Sequence, residues 1–212
     1  MGEAKRRALQ AAQLKEEHAR LREHVARVSI ALRKLNIAAS SHLGTDCYVH
    51  AEYGRILLQD LGSETRLRAG FAAWRVGTGD GDVISHSPNT QGYLPPGAQG
   101  FAYHAWLEGY ECVIDFTTYQ LREKARQLDA ADGGRTNVEW CPDYLILPRR
   151  EIRQYRQVAA ALEAGVAYYE ARQDITQLLK EQFTPDETDL QAARIILANP
   201  DIQVIGPNDL CG

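Results

Sequence analysis

The stretch that decides the fold is Tyr103-His104-Ala105-Trp106-Leu107-Glu108-Gly109-Tyr110-Glu111-Cys112-Val113-Ile114-Asp115-Phe116-Thr117. Two runs rich in aromatic and β-branched residues flank a glycine, the pattern of a tight hairpin. With the turn centred on Gly109-Tyr110, position 104 falls opposite position 115. Side chains directly opposite on paired strands share a face, with Cβ atoms about 4.5–5.5 Å apart. The register therefore sets an imidazole beside a carboxylate, and a hydrogen bond between His104 and Asp115 is expected. Trp106, two residues on, shares the face of His104.

Outward from the hairpin, the N-terminal side begins with a strand. Leu67, Ala69, Phe71 and Ala73 alternate with Arg66, Arg68, Gly70 and Ala72, so a strand is predicted to about Val76, turning at Gly77–Gly81 and pairing back over Asp82–Ser87. Ser87–Gly100, with Pro95-Pro96-Gly97, reads as a long loop that ends where the histidine strand starts. It is expected to border a cleft, with Tyr93 as its substrate contact. Upstream, Thr45 or Asp46 is an N-cap signal for a helix from Cys47 to about Leu61, ended by Gly62. A helix N-terminus is positive in potential and favours a thiolate over a thiol. A backbone N–H there can also hold an oxyanion.

Beyond this core, Leu14, Leu21, Val25, Val28, Leu32 and Leu35 form one apolar seam on a helix within residues 1–36. After the hairpin the expectations are a helix over Gln120–Ala131, a strand over Val138–Leu147, a long helix from Arg150 to about Glu181, a last helix over Pro185–Ala198, and a short strand at Asp201–Ile205. Helices, then antiparallel strands, then helices is an α+β order. The expected organisation is a basic helix (1–36), a core (37–149), and a C-terminal helical extension packed on that core (150–212).

The chain has 212 residues, 44% hydrophobic and 25% charged, the balance of a globular domain with a substantial core. Its net charge of −4 excludes a general nucleic-acid binder, but it is uneven: residues 1–36 carry +5 and the remainder −9. A helix docked on the acidic body, a dimer contact, or a partner-binding arm are the alternatives for that helix. No apolar run approaches the roughly 20 residues of a membrane span, and the basic start lacks the apolar stretch of a secretory signal. Four scattered cysteines without an export signal are expected as reduced thiols in a cytoplasm.

Cys47, His104 and Asp115 together have the composition of an acyl-transfer triad: nucleophile, base and orienter. Asp46-Cys47, Leu67-Arg68-Ala69-Gly70, His104-Ala105-Trp106-Leu107-Glu108 and Val113-Ile114-Asp115-Phe116-Thr117 resemble, in that order, the transglutaminase-like superfamily of papain-like thiol enzymes. The resemblance covers about Thr45 to Thr118. It implies a papain-like cysteine fold, with the nucleophile helix packed on an antiparallel sheet. It also implies Cys47 as nucleophile, His104 as base and acid, and Asp115 as orienter. The reaction would form a thioester from an amide, peptide or isopeptide bond of a protein or peptide-like substrate, then pass the acyl group to water or an amine. Some members place a Trp or Gln ahead of the Cys as second oxyanion donor. This chain has no Trp before Trp74, so Asn36, Ser40, Ser41 or His42 would substitute, or the backbone alone would serve. Trp106 could wall the site. Arylamine N-acetyltransferases have a related triad, but no feature here would read a coenzyme A.

No cofactor or metal is expected. Cys47-x-x-His50 lacks a second close Cys/His pair to complete a zinc site, and Asp80-Gly81-Asp82 falls short of a calcium loop. The bland alternatives are a buried structural Cys47, a structural His104–Asp115 pair, and a catalytically inactive interaction module.

Overall fold

The computed structural model describes residues 3–38, 46–87 and 102–206. The elements in chain order are α1 (Glu3–Ala38), α2 (Cys47–Asp60), β1 (Arg66–Arg75), β2 (Val83–His86), β3 (His104–Gly109), β4 (Cys112–Asp115), α3 (Leu121–Asp132), β5 (Leu145–Pro148), α4 (Tyr155–Ala159), β6 (Ala167–Ala171), α5 (Gln173–Gln182) and α6 (Glu187–Ala198). The architecture is α+β: one antiparallel sheet packed against helices.

The strands pair along the path β2–β1–β3–β4–β5, and β6 also pairs with β1. Gly70 faces both His104 and Ala171, and Ala72 faces both His86 and Tyr169. A residue has only two ladder edges, so β2 and β3 follow one another along one edge of β1 while β6 takes the other. The end of β2 and the start of β3 thus meet along one line of pairing, with the rings of His86 and His104 within 5.2 Å of each other, centroid to centroid.

The two faces of the sheet bury different sets. Leu67, Ala69, Phe71, Leu107, Ile114 and Phe116 pack with α1, α2 and α6. Trp74, Trp106, Val113 and Tyr169 pack with Leu121 and Ala125 of α3. Period-two alternation places these sets on opposite faces. The seam of α1 enters the first set: Leu21, Val25, Val28, Leu32 and Leu35 are buried. Leu14, expected in the seam, is 52% exposed, because α1 at that point has left the body behind. Polar ties fix the packed half of α1: His24 Nδ1 to Ser63 Oγ at 2.8 Å, Arg33 to Asp143 at 2.6 Å, and Lys34 Nζ to the carbonyl of Ile202 at 2.8 Å.

Four expectations need correction. The helix over Arg150–Glu181 is absent. That stretch is a 3-10 turn, the short α4, strand β6 and α5, so the region is no purely helical extension. Gly165, at φ 91°, breaks the helical pattern, and Ala167–Ala171 finds in β1 a partner that a local reading cannot see. The strand expected over Val138–Leu147 is confined to Leu145–Pro148, beyond the ladder-breaking Pro142. Asp201–Ile205 forms no strand. Finally, the hairpin turns at Tyr110-Glu111, both with positive φ (53° and 57°). Gly109 faces Cys112, Glu108 faces Val113 and Leu107 faces Ile114. This is a two-residue shift from the expected register. Because side-chain direction has period two, a shift of two preserves every face, and His104 stays on the face of Asp115, diagonally rather than directly opposite.

Gly70 is required by β6. A Cβ there would lie 2.0 Å from the carbonyl oxygen of Glu170, and backbone cannot yield as a side-chain tip can. Gly70→Ala is expected to lower unfolding free energy by about 2–3 kcal/mol by parting β6 from β1, measured by chemical denaturation.

Candidate active site

Cys47 is the first residue of α2. The N-cap Asp46 accepts the N–H groups of Tyr48 and Val49 through Oδ1, at 2.9 and 3.4 Å. Of the first three amides, only that of Cys47 is not taken by this carboxylate. The half-buried thiol lies 4.0 Å from the carbonyl oxygen of Tyr103, just before β3. Below it, the fully buried His50 ties the first turn to the rest of the body. Its Nδ1 lies 3.1 Å from the Asp46 carbonyl, which can only accept, so Nδ1 carries the hydrogen and Nε2 accepts from the Tyr119 hydroxyl at 3.1 Å. Tyr119 in turn accepts from Asn36 of α1 at 3.4 Å and Gln120 at 3.0 Å. Burial, the largest influence, lowers the pKa of His50. The ring is a neutral brace.

His104 and Asp115 are joined as expected: Nε2 donates to Oδ2 at 2.7 Å, with the ring and carboxylate all but excluded from solvent. The carboxylate accepts three more hydrogen bonds. The Tyr169 hydroxyl donates to Oδ2 at 2.8 Å, and the Thr117 amide and hydroxyl donate to Oδ1 at 2.9 and 2.8 Å. Tyr169 is itself oriented by Trp74 Nε1 at 2.8 Å. Burial alone would raise the pKa of Asp115, but the His104 charge and the hydrogen bonds from His104, Thr117 and Tyr169 outweigh it and hold it down. Burial alone would lower that of His104. The charge and hydrogen bond of Asp115, reinforced by Cys47, instead raise it to about 10.

With Nε2–H committed to Asp115, Nδ1 is the ring atom left for chemistry. It is buried and makes no hydrogen bond of ordinary length among the described residues, although the Cys47 thiol is near enough to raise the basicity of the ring. The two groups face one another without closing, as catalytic pairs commonly do before substrate binds. Cys47 and His104 both line a cleft of about 430 Å³, with Thr117, Thr118, Gln120 and Lys124 opposite.

Aromatic rings fix the imidazole. Trp74 meets it edge-on at 4.7 Å between centroids, and Trp106 stacks on it at 6.2 Å and 15°. Trp106 shares the face of His104 as its spacing predicts, but it is buried and does not line the cleft, whereas Trp74 does. Asn36 does not line the cleft; it serves the Tyr119 network. Ser40, Ser41, His42 and Tyr93 lie outside the described residues, and the flank Ala102 does reach the cleft wall. Tyr169 escaped the sequence reading because its segment reads as helix. Trp74 and Thr117 lie in segments correctly read, but no local signal aims Thr117 at Asp115 or Trp74 at Tyr169 and His104. His86 also lines the cleft, and burial, with the charges of His104 and Lys124, lowers its pKa to about 3.

Cys112 is buried, and Cys141 Sγ points at the carbonyls of Thr118 and Tyr119. Among the described residues, no group of three or more His, Cys, Asp or Glu is placed to hold a metal, and no helix is long and apolar enough to cross a membrane.

No protein-family model matches the chain, and no curated protein matches it. A crystal structure solved as a genomics target is similar, at 14% identity and a TM-score of 0.50, covering 84% of this chain and 78% of its own. At that identity the likeness concerns the fold alone.

Two outcomes are expected here. Tyr169→Phe strips Asp115 of a donor and leaves Trp74 Nε1 buried without its acceptor, a loss of about 1–3 kcal/mol in denaturant unfolding. The stability contributed by His104 is full below about pH 6.5, the ordinary value, and is lost as pH rises through its folded pKa of about 10. The stability gap between wild type and His104→Gln should therefore shrink between pH 6.5 and 10.

Proposed function

We propose that the chain is a thiol enzyme of transglutaminase-like, papain-like type, which cleaves or transfers the acyl group of an amide, peptide or isopeptide bond. The observation that carries this reading is the shared cleft in which Cys47, at a helix head, faces the free nitrogen of an imidazole whose other nitrogen is locked to a buried, four-fold hydrogen-bonded carboxylate.

In this reading the proton of Cys47 already resides on His104 Nδ1, so a thiolate faces an imidazolium kept charged by Asp115. The sulfur attacks the carbonyl carbon of the substrate, and a C–S bond forms. The oxyanion takes the N–H of Cys47 at the positive end of α2. His104 then returns the proton to the departing nitrogen as the C–N bond breaks, leaving a thioester and an amine. Water or a second amine, deprotonated by His104, attacks the thioester and releases Cys47. Asp115 keeps Nε2–H donated and offsets the imidazolium charge; Tyr169 and Thr117 hold Asp115. Trp74 and Trp106 prevent the ring from turning away. The sequence carries a protein or peptide-like substrate as the expected class, and a reducing, cytoplasmic compartment would keep the thiol available.

Iodoacetamide at near-neutral pH is expected to label Cys47 in preference to Cys112 and Cys141, read by peptide mapping. His104→Gln should slow that labelling at least tenfold. Cys47→Ala should abolish turnover of a peptide-amide library with stability nearly unchanged. An inert Cys47 in the folded protein would support the inactive-module alternative.

A further inference from the structure

The inference here deepens the proposed reaction and rests on it. Lys124, in the first turn of α3, lines the cleft of Cys47 and His104 and also the larger one beside it, which runs past Ser85 and Asp129. It is half-buried and acts electrostatically on His86, yet it makes no ion pair or hydrogen bond with any described residue. A half-buried ammonium aimed at a cleft wants a counter-charge.

Of the carboxylates lining the two clefts, Asp80 is exposed to solvent and the others accept hydrogen bonds. Asp46 accepts the amides of Tyr48 and Val49, and also the Tyr103 hydroxyl at 3.4 Å. Asp129 binds the amide and hydroxyl of Thr136 at 2.9 and 2.8 Å. Asp132 accepts the Gly134 amide at 2.9 Å. Asp115 is saturated. In the sequence, residues 39–45 just before Cys47 and 88–101 just before β3 contain no Asp or Glu. His86 carries no negative charge in either protonation state and cannot offset Lys124, and, its pKa lowered to about 3 by burial first of all, it does not compete for an anion.

We propose that Lys124 is a specificity-determining residue, the cationic wall of a subsite for a carboxylate carried by the substrate close to the scissile carbonyl. It stands at the junction of the two clefts, so an acyl chain whose carbonyl sits at Cys47 would run past it into the larger cleft. The head of α3 adds its positive end to the same spot.

The test compares iodoacetate with iodoacetamide, two alkylating agents of nearly equal size that differ by a carboxylate. The rate at Cys47 is read by peptide mapping. The iodoacetate-to-iodoacetamide rate ratio should fall about fivefold in Lys124→Met, the size of one partly exposed ion pair, should return in Lys124→Arg, and should decline with added salt. A ratio unmoved by Lys124→Met overturns the carboxylate subsite while leaving the thiol mechanism intact. A Cys47 that neither reagent labels overturns both. Peptidyl vinyl sulfones bearing Asp or Asn beside the electrophile identify the source of the carboxylate. Preference for Asp, lost in Lys124→Met, assigns a side chain; equal rates with a Lys124-dependent iodoacetate ratio assign a chain-terminal carboxylate.

Discussion

A buried carboxylate cannot stand in a protein interior unless its lone pairs are taken and its charge is balanced. Asp115 meets that demand with four donors drawn from three parts of the chain: His104 on β3, Thr117 just after β4, and Tyr169 on β6. Each donor constrains its own element. Thr117 fixes the exit from β4, so the chain turns into α3 at one angle. Tyr169 requires β6 to lie along β1, which the bare backbone at Gly70 permits. His104 is drawn tight at Nε2 and therefore presents Nδ1. Removing any one donor would leave a charge under-satisfied where water cannot compensate, and this makes the arrangement cooperative rather than a sum of pairs.

The nucleophile side is built differently. Cys47 is held by helix geometry and by a neutral network below it, in which His50, Tyr119 and Asn36 connect α2 to the end of α1. The long N-terminal helix thereby has a role beyond covering an apolar face. Its buried seam supports α2 from below, and its last turns reach the bracing hydroxyl of Tyr119. The basic charge on its outer face contributes little to that docking, since exposed pairs such as Arg33–Asp143 are worth on the order of 1 kcal/mol or less. The apolar residues from Leu21 to Leu35 dominate.

The two halves share one core, since α2 packs on the sheet beside Leu107, Ile114 and Phe116, and their reactive groups meet at the cleft, where the head of α2 reaches the strand end that carries His104. Hydrogen bonds from Tyr119 to His50 and from Tyr103 to Asp46 tie the two sides together, while His104 Nδ1 itself makes no hydrogen bond of ordinary length to the thiol. A site held rigidly on both sides and open between them is preorganised for a group that arrives in the gap.

The sequence by itself determined the α+β class, the helix headed by Cys47, the hairpin, and the pairing of His104 with Asp115. These depend on short-range signals: an Asp before a helix, alternation along strands, and side-chain parity. Parity is why the pairing survived a turn placed one residue later than Gly109-Tyr110, which shifts the register by two; a register shift of one would have lost it. Only the tertiary structure decided the rest. The segment 167–171 has helix-compatible neighbours and becomes a strand because β1 offers a free edge and Gly70 lets it approach. That choice brings Tyr169 to Asp115 from 54 residues away in sequence. Asn36 looked like an oxyanion donor by its position before the cysteine, but the packing of α1 turned it to Tyr119. Lys124 is an ordinary surface lysine in the sequence; its isolation beside the thiol follows from where α3 docks, because a missing counter-charge is a property of surroundings and no local pattern encodes it.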